Sequence, residues 1–401
     1  MKKRSLSRQL LCVLGCALTL AAHADETPDF STWLAQFREE AQAQGISQAT
    51  LDAALTGLQP LPEVIALDQR QPEFIQTFWT YLDRRLSPWR IERGQALLLE
   101  HKALLEEVRA RYGIPAGVLV AFWGLETNYG TYLGNFSIPT ALATLAFDPR
   151  RAGFFRRELL QSLRIIDAGH VTAADMKGSW AGAMGQMQFM PSTYLRYAVD
   201  GDGDGHKNLW GSLPDAFHSA GSFLRELGWK PGELWGREVR LPARFDWESA
   251  HPKVKKPVSD WAKLGVTQAD GSPLPESDLA GAILLPQGRA GPAFLVYRNF
   301  EVIMNWNRSV NYALAVGLLS DRLLGLPEVR NGRDADNRAL SREQVMEMQQ
   351  LLAARGLDVG EPDGLPGPRT RLAIRAWQKA AGVPVDGYAS VSLLEQLQRV
   401  P

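Results

Sequence analysis

The chain has 401 residues, 45% apolar and 22% charged, and its 44 basic residues are matched by 44 acidic ones. This composition excludes disordered and fibrous classes and is long enough for more than one domain. The neutral balance gives no argument for a nucleic-acid partner.

The first segment reads as an export signal. Lys2, Lys3, Arg4 and Arg8 precede an apolar run from Leu10 to Ala22, and Ala22-His23-Ala24 is a small-x-small cleavage site. The mature chain is expected to begin at Asp25 and to reside in the periplasm, and no later apolar run is long enough to span a membrane. Cys12 and Cys16, the only cysteines, both fall in this leader, so the mature chain has no disulfide or thiolate chemistry. Reading Val13-Leu14-Gly15-Cys16 as a lipidation box is an alternative that would make an outer-membrane lipoprotein. The apolar ALTLAA after Cys16 and the good AxA site argue against it. Removing the leader leaves 40 Lys and Arg against 44 Asp and Glu.

From Phe30 to Leu58 the periodicity is helical, and Pro60, Pro62 and Pro72 punctuate the next stretch. Phe74, Phe78, Trp79, Tyr81 and Trp89 come after it. Aromatic faces stack on sugar rings, but such residues are more often core, and Tyr81 is the one expected at a groove. The stretch Ile114 to Gly130 is the centre of the chain. Pro115 suits a first helical turn, Val118 to Leu125 are all apolar or glycine, and Gly130 suits the stop, so the helix should be buried on nearly all sides. Glu126 is its only acid. In the last turn the macrodipole is negative and the surroundings apolar, and both raise a carboxyl pKa toward what a general acid needs. The competing reading is a solvated helix end. Asp148 and Asp167, the nearest acids in sequence, lie in no comparable setting, so no second catalytic carboxylate stands out.

After a turn at Ser137-Ile138-Pro139 and a helix near Phe154 to Ile166 comes GSWAGAMGQMQFMPS. Gly178, Gly182 and Gly185 permit close approach of a ligand or another backbone, and Gln186 and Gln188 offer neutral hydrogen bonding. The next loop places Asp200, Asp202 and Asp204 at positions 1, 3 and 5, Gly205 at 6, the His206 carbonyl at 7 and Asn208 at 9 of an EF-hand pattern. Gly211 replaces the bidentate Glu at position 12. The expectation is a structural Ca²⁺ of weak to moderate affinity that staples the loop; the alternative is a solvated Asp/Gly turn. A helix from Leu213 to Leu227, a β-containing insert over about 230–300 and a closing helix from Asn305 to Leu324 complete this part. Beyond the polar linker, 329–337, Ser341 and Gln344 form a capping box, Leu340 can staple onto Val345, and two Asp-Gly turns at 363–364 and 386–387 mark an imperfect repeat.

The motifs GLETNYG, GSWAGAMGQMQFMPS, DGHKNLW and WNRSVNYALAVGLL, in this order, resemble the membrane-bound lytic murein transglycosylase B family, its soluble periplasmic members most closely, from about Phe30 to Leu324. LPGPRTRLAIRAWQKAAGVPVDG resembles the three-helix peptidoglycan-binding domain. The resemblance implies a mainly α, lysozyme-like catalytic core (about 92–229 and 301–325 within 25–328) with the small β-containing subdomain inserted, and a binding module over 338–401. It also implies that Glu126 is the single acid/base and that Ser179, Gln188, Phe189, Asn307 and Tyr312 line the glycan groove. The family more often has Tyr-Asn where Trp306-Asn307 stands, so Asn307 carries over better than Trp306. Asp215 matches a later family acid that would complete the metal set, with one extra residue before it. The implied activity is non-hydrolytic cleavage of peptidoglycan glycan strands, with no organic cofactor and with wall-synthesis or remodelling proteins as partners. A hydrolytic muramidase and an inactive murein-binding scaffold remain open at this point.

Overall fold

The computed structural model describes residues 29–69, 76–333 and 338–399. The leader with Cys12 and Cys16, the groove candidate Phe74 and residues 334–337 of the polar linker lie outside the described residues. The first helices are α1 (Phe30–Ala43), α2 (Gln48–Leu55) and α3 (Pro62–Gln69). Asp29 and Ser47 cap the first two by accepting backbone N–H groups, and Gly45 at φ 91° separates them. Next come α4 (Phe78–Arg85), α5 (Pro88–Glu100) and α6 (Lys102–Tyr112), which stops on a left-handed Gly113.

Helix α7 (Ala116–Thr127) is next, with Pro115 serving as its cap residue and not as its first turn. Every residue from Gly117 to Leu125 is buried, and α5, α6, α11 (Leu213–Glu226) and α14 (Val310–Leu323) pack around it. Burying a side chain such as Leu119, Val120 or Phe122 contributes about 1.5–3 kcal/mol, so this helix is held by its surroundings on all sides. The hairpin of α8 (Ile138–Phe147) and α9 (Ala152–Asp167), with α10 (Pro191–Tyr197) against α9, forms a second helical layer.

Two sheets are present among the described residues. The ribbon β1 (Phe136–Ser137) and β2 (Lys177–Gly178) carries the glycine-rich turn. The insert forms an antiparallel sheet of β3 (Gly236–Arg240), β4 (Lys256–Pro257), β5 (Thr267–Gln268), β6 (Ala280–Leu284) and β7 (Ala293–Val296), ordered β4-β6-β7-β3-β5. Alternate residues of β6 and β7 face opposite ways. Ala282, Leu284, Phe294 and Val296 join the helical core, while Ile283, Ala293 and Leu295 join a second core with Trp261 on α12 (Val258–Lys263).

The closing segment differs from the single helix expected over Asn305–Leu324. It is two helices, α13 (Arg298–Trp306) and α14, broken at 307–309, where the Ser309 side chain caps α14 by accepting the Tyr312 N–H. The C-terminal unit is α15 (Arg342–Ala354), α16 (Pro368–Ala380) and α17 (Val391–Arg399) around one core. The Ser341–Gln344 capping box is formed, and the repeat is physical. Gln349 accepts the Gly364 N–H and donates to Asp363, as Gln378 accepts the Gly387 N–H and donates to Asp386. The second of these turns docks on the insert, where Asp386 accepts the Arg289 N–H at 2.9 Å, while Lys379 pairs with Glu248 at 3.0 Å and Arg375 donates to the Glu248 carbonyl at 2.9 Å.

Candidate active site

Glu126 is the last residue but one of α7 and is half-buried. The stop is sharper than one glycine would make it, because Asn128, Tyr129 and Gly130 all take left-handed conformations, at φ 53°, 61° and 76°. A tyrosine in that region is strained and persists only where its surroundings over-determine it. Here the Tyr129 hydroxyl donates to the Arg90 carbonyl at 2.7 Å, and its side chain lies against Gly94 and Gly124, where a Cβ would come within 3 Å of the hydroxyl and of the ring respectively. Arg90 in turn donates to the Gly124 carbonyl and to Asn128 Oδ1, at 3.1 and 3.0 Å. The backbone that presents Glu126 is therefore clamped from α5.

The break between α13 and α14 supplies the partners of the acid. Trp306 Nε1 donates to Glu126 Oε1 at 3.0 Å, and the Tyr312 hydroxyl donates to the same oxygen. Burial first, then the neighbouring Glu126, pushes the Tyr312 pKa well above the usual phenol range, so it stays a neutral donor. Tyr81 and Arg85 are near enough to act electrostatically on that hydroxyl, with the Arg85 guanidinium 5.2 Å over the Tyr81 ring. Trp306 is wedged between Phe122, Phe223 and Phe189, at ring separations of 4.4, 5.0 and 5.4 Å.

The other sequence-predicted groove residues have different settings. Phe189 is only 2% exposed and packs against Trp306, so it supports that indole and presents no surface to a ligand. Phe78 and Trp79 are core residues, whereas Trp89 is 49% exposed. Ser179 and Gln188 lie on the glycine-rich turn, half-buried. Ser179 Oγ accepts the Ala183 N–H at 3.0 Å; Gln188, itself left-handed, donates to the carbonyls of Leu133 and Gly185 at 3.2 and 3.0 Å. Asn307 ends α13 beside Trp306. Gln186 joins the turn to α7. Its carbonyl accepts from Thr127 Oγ1, its side-chain oxygen accepts from Trp123 Nε1, and a Cβ at Gly130 would strike it.

Trp306, Tyr129 and Arg90 are the contacts at and beside Glu126 that sequence reasoning missed. For Trp306 the signal was available: an indole N–H is a donor like the tyrosine hydroxyl it replaces.

In the acidic loop, ligand oxygens of Asp200, Asp202 and Asp204 lie within 4.8 Å of one another. The loop's own amides hold them: Gly203 and Gly205 donate to Asp200, Asp204 to Asp202, and His206 to Asp204. Converging carboxylate oxygens in a preorganised loop fit a hard divalent cation. His206 has an exposed side chain, which leaves its backbone carbonyl as the group relevant to a metal. Asp215 stands apart from this cluster. It is fully buried, and its two oxygens accept the Gly201 and Asn208 N–H groups at 2.7 and 2.6 Å, so it clamps the loop ends from α11. Burial pushes its pKa up.

Residues 29–321 match the transglycosylase SLT domain. The chain belongs to that family. Residues 341–397 match the peptidoglycan binding domain family. The membrane-bound lytic murein transglycosylase B of Escherichia coli K12 is 34% identical over 242 residues, 59% of this chain and 64% of that relative, so the match spans just under two thirds of the relative's length. The crystal structure of SltB3 from Pseudomonas aeruginosa in complex with NAG-anhNAM-pentapeptide is 47% identical, with a TM-score of 0.89 over 92% of this chain and 99% of that one. The Escherichia coli lytic transglycosylase Slt35 in complex with calcium is 30% identical, with a TM-score of 0.63 over 73% of this chain and 92% of that one. The SLT domain here is thus mostly helical, and among the described residues no helix is long and apolar enough to cross a membrane.

Proposed function

We propose that this protein is a lytic murein transglycosylase that cleaves the MurNAc–GlcNAc β-1,4 bond of peptidoglycan without water and leaves 1,6-anhydromuramoyl ends. The observation that carries the reading is Glu126 at the end of a buried helix, with two neutral donors on Oε1, in a chain of the SLT family. Because Trp306 and Tyr312 both donate to Oε1, the proton that leaves the acid is the one on Oε2. It passes to the glycosidic oxygen as the bond to the anomeric carbon breaks toward an oxocarbenium-like state. The carboxylate left behind is stabilised by the same two donors. The C6 hydroxyl of the same sugar then attacks the anomeric carbon and gives its proton to Glu126, which restores the acid. Intramolecular attack has a large effective molarity, so neither a positioned water nor a second carboxylate is required.

The export signal at the N-terminus supports a periplasmic site for this reaction, and the C-terminal module would hold the enzyme on its polymer and raise the local substrate concentration. Ser179, Gln188 and Asn307 are proposed to contact the glycan, while Tyr81, which is buried at 4% exposure, is proposed to act through the Tyr312 hydroxyl and the Arg85 guanidinium behind the site. Asp200, Asp202, Asp204 and the His206 carbonyl would hold Ca²⁺, which supplies structure and takes no part in the chemistry; Asp215 would act from behind as the clamp. Digestion of purified sacculi by the mature chain, beside Glu126→Gln, tests the reading by mass spectrometry of the soluble products. Anhydro ends from the wild type alone are expected. Reducing ends would make the protein a muramidase, and no release from either would leave a binding scaffold.

A further inference from the structure

A cleft of about 520 Å³ lies outside the site just described, lined by Gly169, His170, Val171, Thr172, Asp175, Asn208, Trp210 and Gly211. It shares no residue with the contacts of Glu126, Trp306 and Tyr312. Its volume is within the range of small-ligand sites. Trp210 forms a half-buried aromatic wall, held by its Nε1 donating to the Lys177 carbonyl at 2.7 Å. Around it stand polar groups already fixed in place. Asp175 Oδ2 accepts from Thr172 Oγ1 at 2.7 Å, and among the described residues its Oδ1 makes no hydrogen bond. Asn208 Oδ1 accepts the Trp210 and Gly211 N–H groups at 3.2 and 2.9 Å, which orients its amide nitrogen as a donor. His170 Nδ1 is buried with no hydrogen-bond partner among the described residues.

An aromatic face beside a carboxylate and a carboxamide is the chemistry that recognises an uncharged sugar ring. The ring's CH face stacks on the indole, and its hydroxyl and acetamido groups exchange hydrogen bonds with planar polar side chains. Fixing those side chains beforehand lowers the entropy cost of binding. We propose that this cleft is a second saccharide site, which takes an N-acetylated hexosamine of a glycan strand away from the point of cleavage. The choice of ligand rests on the proposed action on peptidoglycan glycan.

Two indole N–H groups report on the two sites separately, Trp306 in the groove and Trp210 in the cleft. The full mature chain with Glu126→Gln, labelled with nitrogen-15, would be titrated with the β-1,4 trimer of N-acetylglucosamine. Trp306→Phe and Trp210→Phe assign the peaks. Both indole signals are expected to move with different dissociation constants, and Asp175→Ala should weaken the Trp210 response about tenfold while the Trp306 response stays. An unshifted Trp306 signal in the free Asp175→Ala protein shows that the fold is intact. A Trp210 signal that stays still while Trp306 saturates overturns the cleft and spares the groove; movement of Trp210 alone does the reverse. Identical constants for both, unaffected by Asp175→Ala, would mean a relay through Gln186, whose Nε2 donates to the Trp210 carbonyl, and would also overturn the proposal.

Discussion

Replacing Tyr312 by Phe removes one of the two donors on Glu126 Oε1 and changes little else, because the ring is buried and its hydroxyl's hydrogen bond is to Glu126. While Glu126 is protonated that bond is an ordinary one. Once the proton has moved to the leaving oxygen, it becomes a hydrogen bond to a carboxylate, worth about 1.5–3 kcal/mol. Only the part gained in the transition state affects the rate, roughly 0.5–2 kcal/mol once the ordinary bond is subtracted, so Tyr312→Phe should slow turnover about 3- to 30-fold, with little change in substrate affinity. Trp306→Phe keeps an aromatic ring against Phe122 and Phe223 and should cost about the same. Because both donors serve one oxygen, the double variant should depart from additivity. The assay is initial release of soluble muropeptides from sacculi at several substrate concentrations. A Tyr312→Phe enzyme within twofold of wild type, or a loss confined to KM, would refute the assignment of Oε1 as the stabilised oxygen.

Gly124→Ala should distort the catalytic turn, since the added Cβ would stand 2.7 Å from the Tyr129 ring, which the Arg90 carbonyl holds in place. A loss of about 1–3 kcal/mol in stability, with reduced activity, is expected by thermal melting and rate measurement; wild-type values in both would mean that Tyr129 is free to move. For calcium, metal present at about a hundred times its Kd adds about 2.7 kcal/mol, so chelation should lower the Tm of the wild type and leave Asp200→Asn unmoved. Equal melting with and without the metal would count against the site. Asp321, whose carboxyl accepts from Trp235 Nε1, has its pKa raised by burial to about 7. Its contribution to stability is present in full below the ordinary Asp range near 4 and is lost as pH rises through about 7. Asp321→Asn should therefore be more stable than wild type at pH 8, by about 2 kcal/mol after allowing for partial exposure, and no better near pH 4 in urea titrations. A constant difference across pH would assign the effect to packing.

The elements that were legible in the sequence are those with a local cause. Helix α7 followed from its unbroken apolar run, and the capping box at Ser341 from its spacing. Glu126 stood out as the one acid in that run. The partners of its proposed acid/base role were less visible because they are non-local: Trp306 and Tyr312 lie 180 and 186 residues away and meet it only because the chain breaks at 307–309. A helical pattern carried through Asn305–Leu324 hides that break, since Ser309 can sit within a helix as well as cap one. The position of Asp215 was similarly out of reach. Metal-ligand spacing cannot distinguish a carboxylate that binds an ion from one that holds the two ends of its loop.

Strands β6 and β7 belong to two cores at once, with alternate side chains claimed by the helical body and by the insert. A substitution of either parity is therefore felt on one side or the other, and neither face is spare. Cutting the insert out at its sequence boundaries would strip Phe294, Val296 and Leu284 from the catalytic body and leave an apolar wall open to water. The insert is a partition between two rooms, and room for variation in it lies in the loops that join its strands.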